Sequence, residues 1–385
     1  MAYPVSRRQF MTRSGLAIGG ALIAPQLLAA CGGGDGDDAS ANGVYFENWP
    51  EYIDTGKDGS VSAPGTSLAL FTKETGIPIK YVETFNDNNE FFAKVQPLLS
   101  AGKPIGPNVV APTYWMAARM LDLGWLEKLP FEKIPNSKNL VPNLQKPPSD
   151  PTGEYSLPWQ AGTTGVACNL KATGGKEVKS IDDLWDPALK GKVTVVTEMR
   201  DTIGLIAMSL GIDISTANTY EQYKPAFDML KKQVDSGQIR QFTGNEYVGP
   251  LEDGSTAACI AWSGDVLGMK NPDVTYSIPE AGGTLWFDTM VIPKGASNSD
   301  DVAKWMNFVY DPENAARITT AVRFFSPVQG VQEVLRSKGG EDAALADNPL
   351  LFPDDATKAR LHTFANLSDE EEQKMDEAFS KISGA

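Results

Sequence analysis

The sequence predicts an α/β protein made of two lobes, and three observations support this prediction. The chain has 385 residues and a hydrophobic content of 42%, which is enough for two domains that each have a core. Strand-like and helix-like segments alternate over 44–124 and again over 180–262, as they do when helices connect the strands of a sheet. Two further strand-like segments, 155–159 and 282–293, interrupt this alternation, and we interpret them as strands that cross between the lobes.

The N-terminal segment predicts export and anchoring. Residues 6–11, Ser-Arg-Arg-Gln-Phe-Met, have the twin-arginine pattern, and the Gly- and Ala-rich apolar segment after them is short for a membrane span. The following Leu-Ala-Ala-Cys31 matches the lipobox in which the cysteine is acylated. We therefore predict a twin-arginine lipoprotein signal peptide over 1–30, lipidation of Cys31, and a flexible acidic linker over 31–43. The alternative is a loosely packed N-terminal helix.

The first part of the body predicts a βαβ unit followed by further alternation. Its predicted elements are a strand at 44–49, a helix at 68–75, a strand at 77–82, a helix at 91–99 with its cap in 86–90, a strand at 108–111 and a helix at 113–121. A polar insertion over 55–66 separates the first strand from its helix, and the proline-rich passage 130–151 has little periodicity.

The second part of the body repeats the alternation after the first crossing strand. Ser180 and Asp183 form a capping box, which predicts a helix that ends at Gly191. The other predicted elements are a strand at 193–196, helices at 200–210 and 220–234, a strand at 257–262, helices at 300–310 and 312–322, and a final amphipathic helix from Ser368 to Ile382.

The composition argues against several classes of protein. Asp and Glu number 49 against 34 Lys and Arg, and the resulting charge of −15 repels nucleic acid and favours cationic solutes. The single histidine, His362, argues against a His-rich zinc site and excludes a catalytic triad unless it is the base. We predict that it occupies a surface helix. Walker A, GxSxG, HExxH and GxGxxG motifs are absent, so the sequence predicts no catalytic residue, no cofactor and no metal.

Two cysteines follow Cys31, and no CxxC spacing is present. Cys168 and Cys259 each lie in an apolar strand-like segment, which favours buried free thiols. Because an exported protein meets an oxidising environment, a disulfide between them remains the alternative.

Asp288 is the residue around which the predicted site is built. Alternation at period two divides its strand into two faces. One face carries Trp286, Asp288, Met290 and Ile292, and the other carries Leu285, Phe287, Thr289 and Val291. An uncompensated carboxylate in such apolar surroundings is costly, so Asp288 needs a hydrogen-bond donor, a cation or a water-filled cleft. One interpretation is a carboxylate that accepts backbone N–H groups, and the other is a site for an organic cation beside the ring of Trp286.

Further aromatic and acidic residues come directly after predicted strands, where ligands of α/β proteins bind. They are Trp49 and Tyr52, Tyr114 and Trp115, Glu198 and Asp201, and Trp262. Glu198 and Asp201 are three residues apart, which predicts one face of a helix start, where the helix dipole stabilises carboxylates. The alternative for this pair is ordinary acidic charge at a helix N-terminus.

These residues belong to segments that resemble the periplasmic spermidine/putrescine-binding proteins of ABC importers, from Val44 nearly to the C-terminus. The most specific segments are 45–52 (Tyr-Phe-Glu-Asn-Trp-Pro-Glu-Tyr), 71–77, 155–158, 183–187, 260–264 and 282–293. The resemblance implies the type II periplasmic-binding-protein fold, in which each lobe is a mostly parallel sheet flanked by helices. It also implies lobe 1 at 44–157 and 288–326, and lobe 2 at 158–287 and 327–385.

The resemblance further implies a linear polyamine, held between the lobes, as the ligand. It implies that Trp49, Tyr52, Thr113, Tyr114, Trp262 and Trp286 line the cleft and that Glu198, Asp201 and Asp288 meet the amines. The implied partners are ABC permease and ATPase subunits, and we expect a monomer outside the cytoplasm, anchored through Cys31.

Four departures from the family pattern leave the ligand open. Pro112 replaces a polar residue, and Glu198 and Asp201 reverse the usual order of short and long carboxylates. Phe324 or Phe325 replaces a tyrosine near the hinge, and the C-terminal glutamine of the family has no counterpart. The alternatives are a receptor for another cationic or zwitterionic solute, such as an amino-acid derivative or opine-like compound, and an anchored hydrolase or lyase that uses Glu198 or Asp288 as base.

Overall fold

A computed structural model describes residues 43–384 of the chain. The predicted signal peptide, Cys31 and all of the linker except Gly43 lie outside the described residues. No helix within residues 43–384 has the length and apolar character needed to cross a membrane.

The strands form one eleven-stranded sheet. They are β1 Val44–Asn48, β2 Ile79–Glu83, β3 Val109–Val110, β4 Leu126–Glu127, β5 Ser156–Asn169, β6 Val193–Val196, β7 Ile239–Thr243, β8 Ala258–Trp262, β9 Val274–Ser277, β10 Gly283–Pro293 and β11 Leu361–His362. The strand order is β2-β1-β3-β10-β5-β8-β6-β7, with β4 and β11 beside β10, and β9 beside β5.

Helices flank this sheet. They are α1 Ser67–Thr75, α2 Asn88–Leu99, α3 Tyr114–Asp122, α4 Ile181–Leu184, α5 Met199–Ser209, α6 Tyr220–Asp235, α7 Val248–Asp253, α8 Ser263–Gly268, α9 Ser299–Val309, α10 Pro312–Val322, α11 Val331–Lys338, α12 Gly340–Ala346, α13 Asp355–Lys358 and α14 Asp369–Ser383. The prediction of a mixed α/β fold is confirmed. We call residues 43–155 the first half and residues 170–282 the second half.

The two crossing strands pair with each other at the centre of the sheet. β10 runs antiparallel to β5, and parallel strands continue the sheet on both sides, β1 with β2 and β3, and β6 with β7 and β8. The register shifts between Asp288, opposite Gln160, and Thr289, opposite Pro158, so that Trp159 is the extra residue of a bulge. The carboxylate of Asp288 therefore lies where the regular ladder is interrupted.

β5 is much longer than the predicted strand 155–159, since it extends for 14 residues. Its central Gly162 faces the rings of Trp286 and Phe324, and a Cβ atom on it would meet the Trp286 ring at 2.5 Å. The strand needs glycine here because these two rings leave no room for a side chain. The same glycine interrupts the apolar pattern by which a strand is predicted from the sequence.

The predicted alternation along β10 is confirmed by the packing on its two faces. Phe287 and Val291 join one hydrophobic core, whereas Met290 and Ile292 join the other. No register could therefore turn Asp288 out to bulk water.

The helix predicted to run from Ser180 to Gly191 is wrong in its length. The capping box is present, because the Ser180 hydroxyl accepts the Asp183 N–H at 3.1 Å and the Asp183 carboxylate accepts the Ser180 N–H at 3.0 Å. The helix nevertheless ends at Leu184, and a 3-10 turn over Pro187–Leu189 follows. Proline disfavours helical backbone in the residue before it, which is why the helix stops early.

The prediction for His362 is also wrong. His362 lies in the short strand β11 beside Thr284 of β10, not on a helix. A pairing of two residues leaves no periodic signal in a sequence, and only the neighbouring strand reveals it.

The prediction of buried free thiols is confirmed. Cys168 and Cys259 are free and buried on neighbouring strands, where Cys259 pairs with Ala167 and Cys168 with Ala258. Burial raises the pKa of the Cys259 thiol, so this thiol is a core residue rather than a reactive group.

The lobe boundaries stay a prediction, but the packing suggests one revision. Val328, Leu335 and Leu351 join the core that contains Phe46 of the first half. Phe379, by contrast, joins the core that contains most of the second half. We therefore expect residues 327–351 to belong with lobe 1 rather than with lobe 2.

Candidate functional site

A cleft of about 570 Å³ opens where the carboxyl ends of strands from both halves meet. The structure brings all nine predicted site residues to its lining. They are Trp49, Tyr52, Thr113, Tyr114, Glu198, Asp201, Trp262, Trp286 and Asp288. A volume of this size suits a small organic ligand.

Asp288 is buried, with 5% exposure, and two hydroxyl groups hold it. Tyr52 donates its hydroxyl to Oδ2 at 2.9 Å, and Thr113 donates to Oδ1 at 2.7 Å. Among residues 43–384, no lysine or arginine forms an ion pair with Asp288. The donors to Asp288 are therefore side-chain hydroxyls and not the backbone N–H groups of the first interpretation. Because these hydroxyls are neutral, they leave the negative charge uncompensated.

Burial raises the pKa of the Asp288 carboxyl to about 7, although the hydroxyls of Thr113 and Tyr52 act in the opposite direction. A carboxylate in low dielectric is disfavoured until a positive charge comes close to it. Asp288 is therefore poised to ionise when a cation binds.

Glu198 and Asp201 begin α5, as the spacing of three predicts. Glu198 is the N-cap residue, and Asp201 lies in the first turn. Asp201 accepts hydrogen bonds from Trp262 Nε1 at 2.8 Å and from Thr284 Oγ1 at 2.7 Å. Burial raises the pKa of both carboxyls, and the charges of Asp87 and Asp201 add to the shift of Glu198. These carboxyls, too, have no cationic partner among the described residues.

Three half-buried indoles line the cleft, and each has its N–H bound by the protein. Trp49 Nε1 donates to the Ala111 carbonyl at 2.9 Å, and Trp286 Nε1 donates to Thr164 Oγ1 at 3.1 Å. Trp262 donates to Asp201, as described above. Since these polar atoms are occupied, the indoles can offer a ligand mainly their rings, which attract cations and pack against methylene groups.

Tyr114 is held more firmly than the sequence suggested. Its hydroxyl accepts the Phe364 N–H at 2.7 Å, and its ring stacks on Phe287 with centroids 4.7 Å apart. It therefore forms part of the wall, and its hydroxyl is already engaged.

The sequence interpretation missed Asp265. This carboxylate lines the cleft and accepts hydrogen bonds from Tyr247 Oη at 2.7 Å and Asn245 Nδ2 at 3.3 Å. Burial raises its pKa to about 6, with a smaller contribution from the charge of Glu51. The signal was available, because Asp265 stands in the first turn of the helix after β8, just as Asp201 stands after β6.

Phe324 and Phe325, the two phenylalanines that the resemblance singled out, occupy different positions in the structure. Phe324 lines the cleft, with its ring 5.3 Å from that of Trp286 and 5.4 Å from that of Tyr52. Phe325 instead bridges to Ala161 of β5. Phe324 therefore gives the wall of the cleft an aromatic ring without a hydroxyl.

The charge of the lining is strongly negative. Seven acidic side chains and two arginines line the cleft. One of the arginines, Arg200, is buried in an ion pair with Glu372 and stacks 4.4 Å from the Trp115 ring. The cleft therefore attracts cations.

The carboxylates are distributed along the cleft. Besides burial, the charge of Asp201 raises the pKa of Asp288. Burial and the charges of Asp288 and Asp265, in that order, raise the pKa of Tyr52. Asp201 is hydrogen-bonded to Thr284, four residues before Asp288 on β10, so the two carboxylates lie at separate points along this strand. This separation gives positions for more than one positive charge on a single ligand.

An acidic and aromatic cleft between two α/β halves defines a solute-binding protein. The chain belongs to the bacterial extracellular solute-binding protein family, whose model matches residues 67–353. This finding confirms the family resemblance and the type II periplasmic-binding-protein fold predicted from the sequence.

Individual relatives agree with this assignment. The spermidine/putrescine-binding periplasmic protein of Escherichia coli is 27% identical over 82% of this chain and 84% of its own length. The putrescine-binding periplasmic protein SpuD of Pseudomonas aeruginosa is 28% identical over 88% of this chain and 91% of its own. The structure of a putative spermidine/putrescine ABC transporter from Listeria monocytogenes superposes with a TM-score of 0.77 at 27% identity, covering 89% of this chain and 98% of that one.

Proposed function

We propose that this protein captures a linear polyamine such as spermidine or putrescine in the cleft and delivers it to an ABC permease energised by an ATPase subunit. The observation that carries the proposal is Asp288, a buried carboxylate in a cleft lined by indoles. Its side-chain donors within residues 43–384, Tyr52 and Thr113, are both neutral. An ammonium group supplies the missing positive charge and also donates hydrogen bonds.

The rest of the cleft suits a chain with several charges. Carboxylates at Asp201, Asp265 and Asp288 would meet amino groups, and the rings of Trp262 and Trp286 would pack against the methylene segments between them. Because closure would remove water from each amino group, an amine left without a carboxylate would cost several kcal/mol. The affinity for a ligand would then depend on the spacing between its amino groups.

The names of the relatives support a polyamine, since those proteins are described as spermidine- or putrescine-binding. We propose further that the nine predicted site residues contact the ligand, and that the receptor is a monomer held on the membrane through Cys31. We propose no catalytic role, because the cleft combines its carboxylates with aromatic rings and lacks a nucleophile–base pair.

Titration with spermidine and with putrescine, followed by intrinsic tryptophan fluorescence, tests the proposal. Four of the eight tryptophans, Trp49, Trp115, Trp262 and Trp286, line the cleft, so a bound ligand should change the emission. If neither compound produces a response, the polyamine assignment fails while the solute-receptor assignment stands. Mass spectrometry of ligand retained through native purification would then identify another solute.

Polyamine affinity should decrease as the pH falls below about 7. Asp288 has a pKa of about 7 and Asp265 one of about 6, and a cation requires both carboxyls ionised. Calorimetric titrations between pH 5.5 and pH 8 should give the tightest binding at the alkaline end. Affinity that is constant over this range would show that neither carboxyl meets the ligand charge.

Membrane anchoring is tested separately from ligand binding. In cells, a Cys31→Ser variant should appear in the soluble extracytoplasmic fraction, because the thiol that would carry the lipid is gone. The wild type should sediment with membranes, and Cys168→Ser serves as the control, since that buried thiol is part of the core. If the Cys31→Ser variant remains with the membranes, the protein is attached by some other means.

A further inference from the structure

Asn88 is a fully buried amide that joins the two halves across the cleft. Its exposure is 0%. Its Nδ2 donates to Thr113 Oγ1 at 2.9 Å and to Glu198 Oε2 at 3.0 Å, and its Oδ1 accepts the Thr113 N–H at 3.0 Å. One side chain thus binds Thr113 in the first half and Glu198 in the second.

The contact continues to Asp288. Thr113 Oγ1, which accepts from Asn88, donates its own proton to Asp288 Oδ1 at 2.7 Å. An unbroken chain of hydrogen bonds therefore runs from Glu198 through Asn88 and Thr113 to Asp288. Both ends are carboxylates, and both links are neutral, so the chain neutralises neither negative charge.

The direction in which these hydrogen bonds run depends on whether Asp288 is ionised or protonated. An ionised carboxyl can only accept, so the Thr113 proton must point to Asp288 and the Thr113 lone pair must face Asn88. A protonated carboxyl can donate instead, which frees Thr113 to point elsewhere. Hydrogen bonds in such a chain also polarise one another in a buried setting. The Thr113 N–H fixes the orientation of the Asn88 amide, and a cation that keeps Asp288 ionised keeps Thr113 Oγ1 as the acceptor that polarises this amide.

The surroundings of Glu198 make this donor important. Asp87 and Asp201 are the neighbouring charges, and both repel it. Its stabilising partners are Asn88 Nδ2 and the weaker backbone N–H of Asn88 at 3.4 Å, at the start of α2. Without the amide, the Glu198 carboxylate would lose its side-chain donor and face repelling charges at this contact between the halves.

We propose that Asn88 is a positioning residue that couples the charge of the ligand at Asp288 to contact between the two halves at Glu198. This inference rests on the proposed function for its ligand, but the hydrogen-bond coupling can be tested without any ligand. Asn88 touches other protein groups rather than the polyamine, and it acts through Thr113 and Glu198.

The test without ligand exchanges the hydrogen-bond donor and acceptor between positions 88 and 198 by isosteric substitutions. Asn88→Asp places a carboxylate against Glu198 and should lower the melting temperature. Adding Glu198→Gln should recover part of the loss, by about 2 °C or more, because the new amide at 198 can donate to the new carboxylate at 88. If Glu198→Gln leaves the melting temperature of the Asn88→Asp variant unchanged or lowers it, there is no coupling between the two positions.

The ligand test measures spermidine dissociation by stopped-flow fluorescence. Both Asn88→Asp and Asn88→Ala should release spermidine roughly tenfold to a hundredfold faster than the wild type, as expected for a lost hydrogen bond to a charged group. Lowering the pH should reduce the difference between Asn88→Asp and the wild type, because the added carboxyl becomes protonated. The control, Gln96→Glu, makes the same change from amide to carboxylate at an exposed position of α2 and should stay within about twofold of the wild type.

The outcomes separate the two proposals. A wild type that does not respond to spermidine refutes the polyamine function, and the melting-temperature exchange still decides the role of Asn88. A wild type that binds spermidine, with an Asn88→Asp variant that matches Gln96→Glu in rate and pH profile, refutes the coupling and leaves the function in place.

Discussion

An Asp288→Asn variant should bind spermidine at least about a hundredfold more weakly than the wild type. Removing one partner of a buried charge pair costs about 3–5 kcal/mol, because the other charge is left buried and uncompensated. Isothermal titration calorimetry should be performed at pH 8, where the wild-type carboxyl is ionised and the difference in affinity between wild type and variant is largest.

The same variant should remain folded, because its amide can replace the carboxylate in the local contacts. The amide oxygen can accept from one hydroxyl, and the amide N–H can donate to the oxygen of the other, Tyr52 or Thr113. A glutamine at the exposed position Glu51, which also lines the cleft, is the matched control and should change affinity only a few fold. If Asp288→Asn folds and keeps wild-type affinity, the proposed role of Asp288 is wrong.

The unfolding free energy of this variant without ligand should also differ from that of the wild type, in a direction that depends on pH. The folded-state pKa of Asp288 is raised to about 7, so its carboxyl stabilises the ligand-free fold at low pH and loses that contribution as the pH rises through 7. Relative to the wild type, Asp288→Asn should therefore gain unfolding free energy between pH 4 and pH 8. Urea unfolding at several pH values measures the difference.

A Glu372→Gln variant should lose about 3–5 kcal/mol of unfolding free energy. Glu372 of α14 forms an ion pair with Arg200 of α5, and their side chains are only 4% and 3% exposed. The glutamine would leave the guanidinium charge buried without its counter-charge. Urea unfolding followed by tryptophan fluorescence should show a clearly lower midpoint with a similar slope.

Two further variants show whether the lost charge causes this effect. Glu370→Gln, two residues earlier at an exposed position, should change stability by no more than about 0.5 kcal/mol. The double variant Arg200→Met, Glu372→Leu removes both charges and should recover most of the loss, as buried ion pairs replaced by apolar residues often do. A Glu372→Gln protein as stable as the wild type would show that Arg200 finds solvent or another partner.

Local signals predicted most of the secondary structure. α2 and α6 were predicted to within a few residues, because each combines a capping residue with an apolar face of helical period. β4, β9 and β11 were missed because their patterns are short, and β7 was missed because polar residues separate its apolar ones. The middle of β5 was missed because glycine and threonine interrupt its apolar pattern. Strands of this kind are defined by their partners in the sheet and not by their own residues.

The candidate site likewise contains residues that the sequence revealed and residues that it did not. Asp288 stood out in the sequence because a lone carboxylate within an apolar strand is costly, and the cost is visible without any partner. Asn88 gave no such signal, since a neutral amide near a helix start is common, and its importance comes from atoms 25 and 110 residues away along the chain. Nor could the sequence reveal that Arg200, which lines the cleft, is already paired with Glu372.

The α/β class, the two crossing strands and the family could be predicted from the sequence, because periodicity, capping and local motifs are properties of neighbouring residues. The groups that hold Asp288, their neutral character, and the buried amide that links this carboxylate to Glu198 in the other half became visible in the folded protein. The physical reason is that the net charge of a cleft depends on which cations already have partners, and those partners are distant in the chain.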